Sequence, residues 1–366
     1  MTPVLDDALL SDAAALAARD VGNALRSAAT AGAQVRSTAE AAAEAGVAEL
    51  AGTRPRALVL LQRPGASVAA YRLLAALLGP RCPVPIVLSD VTPVWIGPLD
   101  VVVAHTDNPE DIELADSVAL ATRRGADVVL SAPAEGPVAS AGAGRARLVE
   151  PRIPVPPGFD LPRALAVGLT AAAALDLFDV SLDPSLDALA DELDAEAERN
   201  QPAHEPFVNP AKSLALRLAD HVPLIWGTDR VAAAVAAHAA DALAAHARVI
   251  AHAADISHAA TSPGLRQAIE KAAAEHDIFH DPFEDPVDQT TPSVRLLLVA
   301  TGDEDPHQVA LRRTGQQWPS VDVLHPVEEV ITGTRHGALL RAALLAGRFT
   351  MAAVYLGLAT HAIGPT

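Results

Sequence analysis

Two histidines, His276 and His280, have the residue type and spacing that could serve chemistry. They lie four positions apart in the segment EHDIFHDPFEDP, and three carboxylates follow them. On a continuing helix the two imidazoles would share a face, as paired metal ligands do. Pro282 and Pro286 break such a helix. An exposed polar loop, a catalytic pair and a metal site therefore stay open as interpretations; we favour the loop and predict no metal.

Neither the glycines nor the cysteine of this chain predicts a cofactor. The glycine pair in Gly142-Ala143-Gly144 lacks the preceding strand and following helix that a dinucleotide-binding turn needs. Cys82 is the only cysteine, so no internal disulfide can form, and we interpret it as an inert loop thiol.

The charge of the chain narrows the classes of partner. A formal net charge of −18 argues against nucleic acid and anionic membranes as partners. A phosphorylated small molecule stays possible, because salt screens the global repulsion over about 8 Å. The acidic start does not look like a secretory signal, and no apolar run approaches the roughly 20 residues that span a bilayer. We therefore expect a cytoplasmic location.

The elements that would position these residues form two α/β domains. Residues 5–50 are alanine-rich and predict a helical arm with breaks at Gly22 and around Gly32. Short apolar segments that alternate with helical ones then predict strands of parallel sheets. These strands are Ala57–Leu61, Val84–Leu88, Leu99–Ala104 and Asp127–Ser131 in the first half, and Val222–Trp226, Val249–His252, Val294–Ala300 and Val321–Leu324 in the second.

We predict a four-part organisation: a helical arm (1–53), a first doubly wound domain (54–182), an acidic helical linker (183–203) and a second doubly wound domain (204–366). The linker helix is predicted at Asp187–Glu198. A last helix is predicted at Arg335–Thr360, and its length and hydrophobicity indicate burial against the first domain or a partner subunit.

Three segments carry a resemblance to a known family. They are Pro157–Ala164 (PGFDLPRA), Asn209-Pro210-Ala211-Lys212 with Pro223–Gly227, and Phe349–Ala359 (FTMAAVYLGLA). In this order and spacing they resemble the bacterial and archaeal bifunctional phosphoglucose/phosphomannose isomerases. The alanine-rich, lysine-poor composition is typical of a high-G+C genome, and because the chain also departs from the family's motifs we expect a degenerate, actinobacterial branch. The resemblance implies two SIS-like (sugar isomerase, flavodoxin-like) domains, a homodimer and a sugar phosphate as ligand.

The segments that would hold the phosphate depart from that family. Its glycine-rich turn after the first strand corresponds here to residues 62–66, with Gly65 retained and Ser67 one position beyond. Its hydroxyl-rich turn corresponds to residues 104–111, where Thr106 and Asn108 remain as candidate ligands. Asp107 replaces a glycine there, and we expect its carboxylate to cap the following helix and fill the anion site.

The resemblance also implies catalytic roles. Isomerisation of an aldose to a ketose phosphate needs a cation over the enediolate, a base between two carbons and an acid for ring opening. Arg163 matches the family's arginine. Glu270 is a loose counterpart of its base, and His276 or His280 would have to replace its histidine.

Two functions therefore stay open on the sequence. The first is a phosphosugar-binding, isomerase-like protein with degenerate catalytic motifs. The second is a non-catalytic relative that senses a sugar phosphate or acts as a scaffold in carbohydrate metabolism.

Overall fold

The computed structural model describes residues 5–178, 185–275, 293–318 and 321–364. The chain divides into two compact units. The N-terminal unit is Ala29–Ala195, and the C-terminal unit combines Met1–Ala28 with Glu196–Thr366. Each unit contains one parallel sheet. This confirms the predicted α/β class with two parallel-sheet domains, whereas the exact four-part boundaries stay a prediction.

The helical arm is more finely divided than the sequence predicts. It consists of α1 (Asp7–Ser11), α2 (Ala13–Arg19), α3 (Ala24–Ala29) and α4 (Ala31–Glu44). One additional break falls at Asp12, whose carboxylate accepts the amides of Ala14 and Ala15 and starts α2. The break predicted around Gly32 falls at Thr30, between α3 and α4, and Gly32 itself lies inside α4. A Cβ there would come within 2.1 Å of Asp194 Oδ1, so the glycine permits a close approach to that side chain.

The sheet of the N-terminal unit has five parallel strands in the order β2-β1-β3-β4-β5. Its central strands β1 and β3 are buried at every position, as expected where helices cover both faces. The strands are β1 (Ala57–Leu61), β2 (Ile86–Ser89), β3 (Asp100–His105), β4 (Asp127–Ser131) and β5 (Arg147–Val149), and the helices after α4 are α5 (Ala66–Leu78), α6 (Ile112–Arg123), α7 (Gly136–Gly142) and α8 (Leu161–Ala174).

The C-terminal unit has four parallel strands in the order β7-β6-β8-β9. The strands are β6 (Val222–Gly227), β7 (His252–Asp255), β8 (Val294–Val299) and β9 (Asp322–Leu324). The helices are α9 (Leu186–Arg199), which crosses the boundary between the units, α10 (Pro210–Leu218), α11 (Arg230–Ala242), α12 (Ile256–Ala259), α13 (Pro263–Glu275), α14 (Pro306–Thr314) and α15 (Gly337–Ala359). Strand β7 begins three residues later than the sequence predicts, because a π-helical turn and a left-handed Arg248 precede it.

The last helix is a core element of the C-terminal unit. Within the described residues, α15 is the one helix long and apolar enough to span a membrane, and 89% of its most apolar window is buried inside the protein. It packs against α10 and α11 of its own unit. Arg348 of α15 is also buried and donates to Glu196 and Glu329. A helix with such internal partners is typical of a protein core rather than a lipid-facing span.

The conspicuous Asn-Pro-Ala-Lys segment has a structural role. Asn209 caps α10, because its side-chain oxygen accepts the amide of Lys212 at 2.9 Å. The Lys212 ammonium is buried and donates to the carbonyls of Pro202 (2.7 Å) and His204 (2.8 Å). Burial lowers the pKa of Lys212. The segment therefore fixes the chain that leads into β6.

Candidate functional site

Each sheet has one point at which its strand order reverses. In the N-terminal unit β1 leads outwards to β2 while β3 leads to β4 on the other side, and in the C-terminal unit β6 and β8 diverge in the same way. Open α/β sheets bind ligands in the crevice at the carboxyl ends of such a strand pair. We call these places the N-terminal crevice (residues 62–67 and 105–113) and the C-terminal crevice (residues 228–230 and 300–313).

The N-terminal crevice is bridged by its own side chains. The Arg63 guanidinium donates to both carboxylate oxygens of Asp111 at 2.8 and 3.0 Å and to Glu113 at 2.8 Å. Asp111 also caps α6 by accepting the amide of Leu114 at 3.0 Å. Burial raises the pKa of Asp111, but the hydrogen bond and charge of Arg63 and the amides at the helix start together outweigh it and hold the pKa of this carboxyl below its ordinary value. A carboxylate and a guanidinium thus occupy the helix start that a bound anion would use.

The four predicted phosphate ligands lie around this crevice, but their polar atoms serve the turns themselves. The Ser67 hydroxyl accepts the amide of Arg63 (2.8 Å) and donates to its carbonyl (2.7 Å). Thr106 Oγ accepts the amide of Asn108 at 3.0 Å, and the Asn108 side chain accepts an amide two residues further on. Gly65 has a φ of 114°, a conformation that favours glycine. Close neighbours in the chain explain all four residues.

A buried acid–base cluster at the same sheet edge was missed by the sequence analysis. His105 ends β3 and is 1% exposed. Its two ring nitrogens lie 3.0 Å from Ser131 Oγ at the end of β4 and 2.8 Å from Asp160 Oδ2 before α8. Asp160 Oδ1 is buried without a hydrogen-bond partner. Burial raises the pKa of Asp160, but the interactions with His105, a backbone hydrogen bond and the charge of Arg163 together outweigh it, so the net shift of this pKa is downwards. Polar residues that end adjacent buried strands were the available signal.

Arg163, the predicted catalytic arginine, belongs to this cluster. It is 6% exposed and donates to the carbonyl of Ile153 at 2.5 Å. Burial lowers its pKa, while the charges of Asp160 and Asp107 act in the opposite direction. Burial and the charge of Asp160 raise the pKa of Asp107. Asp107 does not cap α6 as we expected, because the helix begins later and Asp111 takes that role. The structure thus brings Arg163 and the 105–108 turn into one electrostatic cluster.

Of the remaining predicted catalytic residues, the structure describes one, Glu270. Glu270 is exposed on α13, and α13 belongs to the C-terminal unit. His276 and His280 lie outside the described residues. In the described part of the chain, no group of three or more His, Cys, Asp or Glu side chains is arranged to hold a metal ion.

The C-terminal crevice is open, and none of the sequence motifs described above predicts it. A cleft of about 290 Å³ lies there, lined by Thr228, Asp229, Arg230, Ala300, Gly302, Asp303, Glu304, Val309, Arg312 and Arg313. Its floor is the carboxyl ends of β6 and β8, and the starts of α11 and α14 flank it. Arginines and carboxylates line most of its rim, so it suits a small charged ligand rather than an apolar one.

Comparison with known proteins agrees with this architecture. Residues 207–360 match the family model of the bacterial phospho-glucose isomerase C-terminal SIS domain. No curated protein is a match for the chain.

Three solved structures share its fold. A putative phosphosugar isomerase from Silicibacter pomeroyi DSS-3 is 16% identical with a TM-score of 0.61, and the match covers 94% of this chain and 100% of that one. The C-terminal domain of glucosamine-fructose-6-phosphate aminotransferase from Francisella tularensis is 11% identical (TM-score 0.58; 94% and 98% covered). A similarly named protein from Bacillus subtilis is 15% identical (TM-score 0.54; 89% and 95% covered). At these identities the likeness establishes the fold, two SIS-like domains, and nothing about activity.

Proposed function

We propose that this chain is a phosphosugar-binding SIS protein that does not isomerise its ligand, in a degenerate, actinobacterial branch of the phosphoglucose/phosphomannose isomerases. The observation that carries the proposal is the bridged N-terminal crevice. Arg63, Asp111 and Glu113 fill the helix start that would hold a substrate phosphate in the resembling family. Binding elsewhere on the SIS fold stays compatible with this closure, whereas catalysis at that position does not.

The missing catalytic groups support the same proposal. Proton transfer between two carbons needs a base within hydrogen-bond reach of both, and loss of one such group typically costs about 10²- to 10⁴-fold in rate. Arg163 is present, but Glu270 is an exposed helix residue, and Asn108, Thr106 and Ser67 are engaged in their own turns. The function that fits is sugar-phosphate sensing or scaffolding in carbohydrate metabolism, by a cytoplasmic homodimer without a cofactor.

A working isomerase is the second candidate, and one observation favours it. The buried His105, Asp160 and Arg163 and the half-buried Asp107 form a cluster that contains an acid, a base and a cation within one electrostatic environment. Perturbed ionisable groups of this kind are concentrated at functional sites. In that case Asp107 or His105 would move the proton, in place of the exposed Glu270.

A titration of the purified protein with fructose 6-phosphate, glucose 6-phosphate and mannose 6-phosphate separates these functions. Binding is read as a rise in melting temperature, and turnover is read by a coupled isomerase assay on the same samples. We expect at least one sugar phosphate to raise the melting temperature without turnover. Turnover that disappears in Arg163→Ala would instead establish the isomerase. A melting temperature unmoved by all three compounds would refute phosphosugar binding.

A further inference from the structure

The three arginines of the C-terminal crevice differ in how firmly they are held. The Arg313 guanidinium donates to both carboxylate oxygens of Asp255 at 3.0 Å and also to the carbonyl of Thr228. It is therefore fixed by β7 and by the end of β6. Arg312 pairs only with Glu304, at 2.6 Å, and both of these side chains are largely exposed. The crevice thus has one rigid guanidinium and one that an incoming anion can recruit from a weak surface pair.

Arg230 is the third arginine and the first residue of α11. Among the described residues it forms no hydrogen bond or ion pair, and it is exposed at the rim of the cleft. Its neighbour Asp229, in contrast, has hydrogen-bond partners. The Asp229 carboxylate accepts the amides of Val231 (2.8 Å) and Ala232 (3.0 Å) and so caps the helix. The helix amides therefore compensate the carboxylate of Asp229, and the charge of Arg230 is left for a ligand.

One acidic residue of the cleft, Asp303, is neutralised by a buried arginine. Asp303 accepts from the buried Arg341 of α15 at 2.5 Å, and this hydrogen bond lowers the pKa of Asp303. Arg341 is itself anchored by the carbonyls of Thr301 (2.7 Å) and Val330 (2.9 Å). An anion in the cleft thus faces two carboxylates that already have partners, Asp229 and Asp303, while Glu304 gives up its pair when the anion recruits Arg312.

We infer that the C-terminal crevice binds a phosphate monoester through Arg230, Arg312 and Arg313. Arginine is suited to this role, because its planar fork donates two parallel hydrogen bonds to phosphate oxygens. The cleft volume of about 290 Å³ is near the lower end of the roughly 300–1,000 Å³ of small-molecule pockets. If the ligand is a sugar phosphate, which rests on the function proposed above, the carboxylates of Asp303 and Glu304 would accept its hydroxyl groups.

The test is calorimetric titration of the full chain with inorganic phosphate and then with fructose 6-phosphate. The variant is Arg230→Gln with Arg312→Gln, which leaves the structurally anchored Arg313 intact. Its matched control is Arg123→Gln with Arg124→Gln, which removes two exposed arginines at the end of α6 in the other unit. We expect wild type and control to bind phosphate, and the crevice variant to bind at least tenfold more weakly with an unchanged melting temperature without ligand.

Each outcome of this test decides one of the two proposals. Phosphate binding that is equal in the crevice variant and the control, or absent from the wild type, would overturn the crevice site. Undiminished binding of fructose 6-phosphate by the crevice variant would overturn the site but keep the phosphosugar-binding function. Binding of phosphate without binding of any sugar phosphate, lost in the crevice variant, would keep the site and reject the function.

Discussion

The two crevices have the same topology and opposite contents. Both lie at the carboxyl ends of the two strands where a parallel sheet reverses its order, and in both an aspartate caps the helix that follows. In the N-terminal crevice Arg63 reaches across and pairs with the capping Asp111. In the C-terminal crevice the capping Asp229 forms no pair with Arg230, Arg312 or Arg313 in the described residues, and a cleft remains.

The comparison indicates that an internal ion pair can take the place of a bound anion. A helix start at a strand reversal attracts negative charge, whether that charge comes from a bound anion or from a side chain. Once a carboxylate and its arginine are built in, the same geometry stabilises the fold. We therefore interpret the ion pair of the N-terminal crevice as structural and the C-terminal crevice as available to a ligand.

The largest expected effect comes from Arg63→Ala. This substitution leaves Asp111 and Glu113 without their cation, and the Arg63 and Asp111 side chains are each only 10% exposed. Removal of one partner of a buried pair typically destabilises by about 3–5 kcal/mol, and we expect about 3 kcal/mol because Glu113 is mostly exposed. The measurement is the free energy of unfolding from urea titration.

The matched control for Arg63→Ala is Arg312→Ala in the other crevice. Its pair with Glu304 is solvent-exposed, so we expect no measurable change in the free energy of unfolding. Equal losses for the two variants would contradict the contrast between a structural and an available crevice.

Mild acid should weaken the C-terminal unit and spare the N-terminal one. Burial lowers the pKa of His238 to about 4, and its Nε2 lies 3.0 Å from Thr350 Oγ. The unfolded chain takes up this proton below about pH 6.5, whereas the folded unit does so only near pH 4, so stability falls as the pH drops between these values. We expect the free energy of unfolding of the C-terminal unit to fall by about 2 kcal/mol between pH 7 and pH 5.

The N-terminal unit should respond later. The carboxyls of Asp111 and Asp160 have pKa values below the ordinary one despite burial, because Arg63 and His105 are among the groups that stabilise their ionised forms. The stability that these two carboxylates contribute is therefore lost only below about pH 3.9.

The three tryptophans separate the two units in this measurement. Trp95 lies in the N-terminal unit, while Trp226 and Trp318 lie in the C-terminal one. The ring centroids of Trp226 and Trp318 are 5.0 Å apart. Urea unfolding of Trp95→Phe therefore reports the C-terminal unit by fluorescence, and a variant with only Trp95 reports the other. A His238→Gln variant should remove most of the pH dependence between pH 5 and pH 7. If that slope survived in His238→Gln, the titration of His238 would not be its cause.

Among the substitutions expected to lower stability measurably, Asp305→Ala has the smallest expected effect. Asp305 caps α14 beside the open crevice by accepting the amide of Gln308 at 2.9 Å, and no ion pair adds to this contact. Loss of such a cap typically costs about 1 kcal/mol. The free energy of unfolding should therefore fall less than in Arg63→Ala. Phosphate affinity should change by less than a factor of about five, given that charge effects at helix ends are worth about 0.3–1 kcal/mol. A loss as large as that of Arg63→Ala would show that the C-terminal crevice is also structural.

The α/β fold class could be predicted from the amino-acid sequence alone. Runs such as Val101–Ala104 are apolar throughout, and this pattern suffices to predict a strand buried on both faces. The alternation of such runs with helical segments predicted two parallel-sheet units, and α15 was predicted within two residues of its observed bounds. These features depend on local composition and periodicity, which a single sequence displays directly.

The partners of the polar residues are visible only in the tertiary structure. Arg63 and Asp111 lie far apart in the chain, and nothing in their local segments shows that one closes the crevice at the other. His105, Ser131 and Asp160 became a cluster only because β3, β4 and the start of α8 meet at one sheet edge. The match of Arg163 to a family motif predicted its presence there, but not its partners.

The same reason explains the C-terminal crevice. Arg230 looks like any surface arginine at a helix start, and its neighbours Arg312 and Arg313 come from a helix that follows a different strand. Local sequence specifies each element through hydrophobic burial, which is short-range in the chain and tolerant of detail. Ion pairs and clefts depend on which charged ends the sheet order places side by side, and that order is set by the packing of the whole unit.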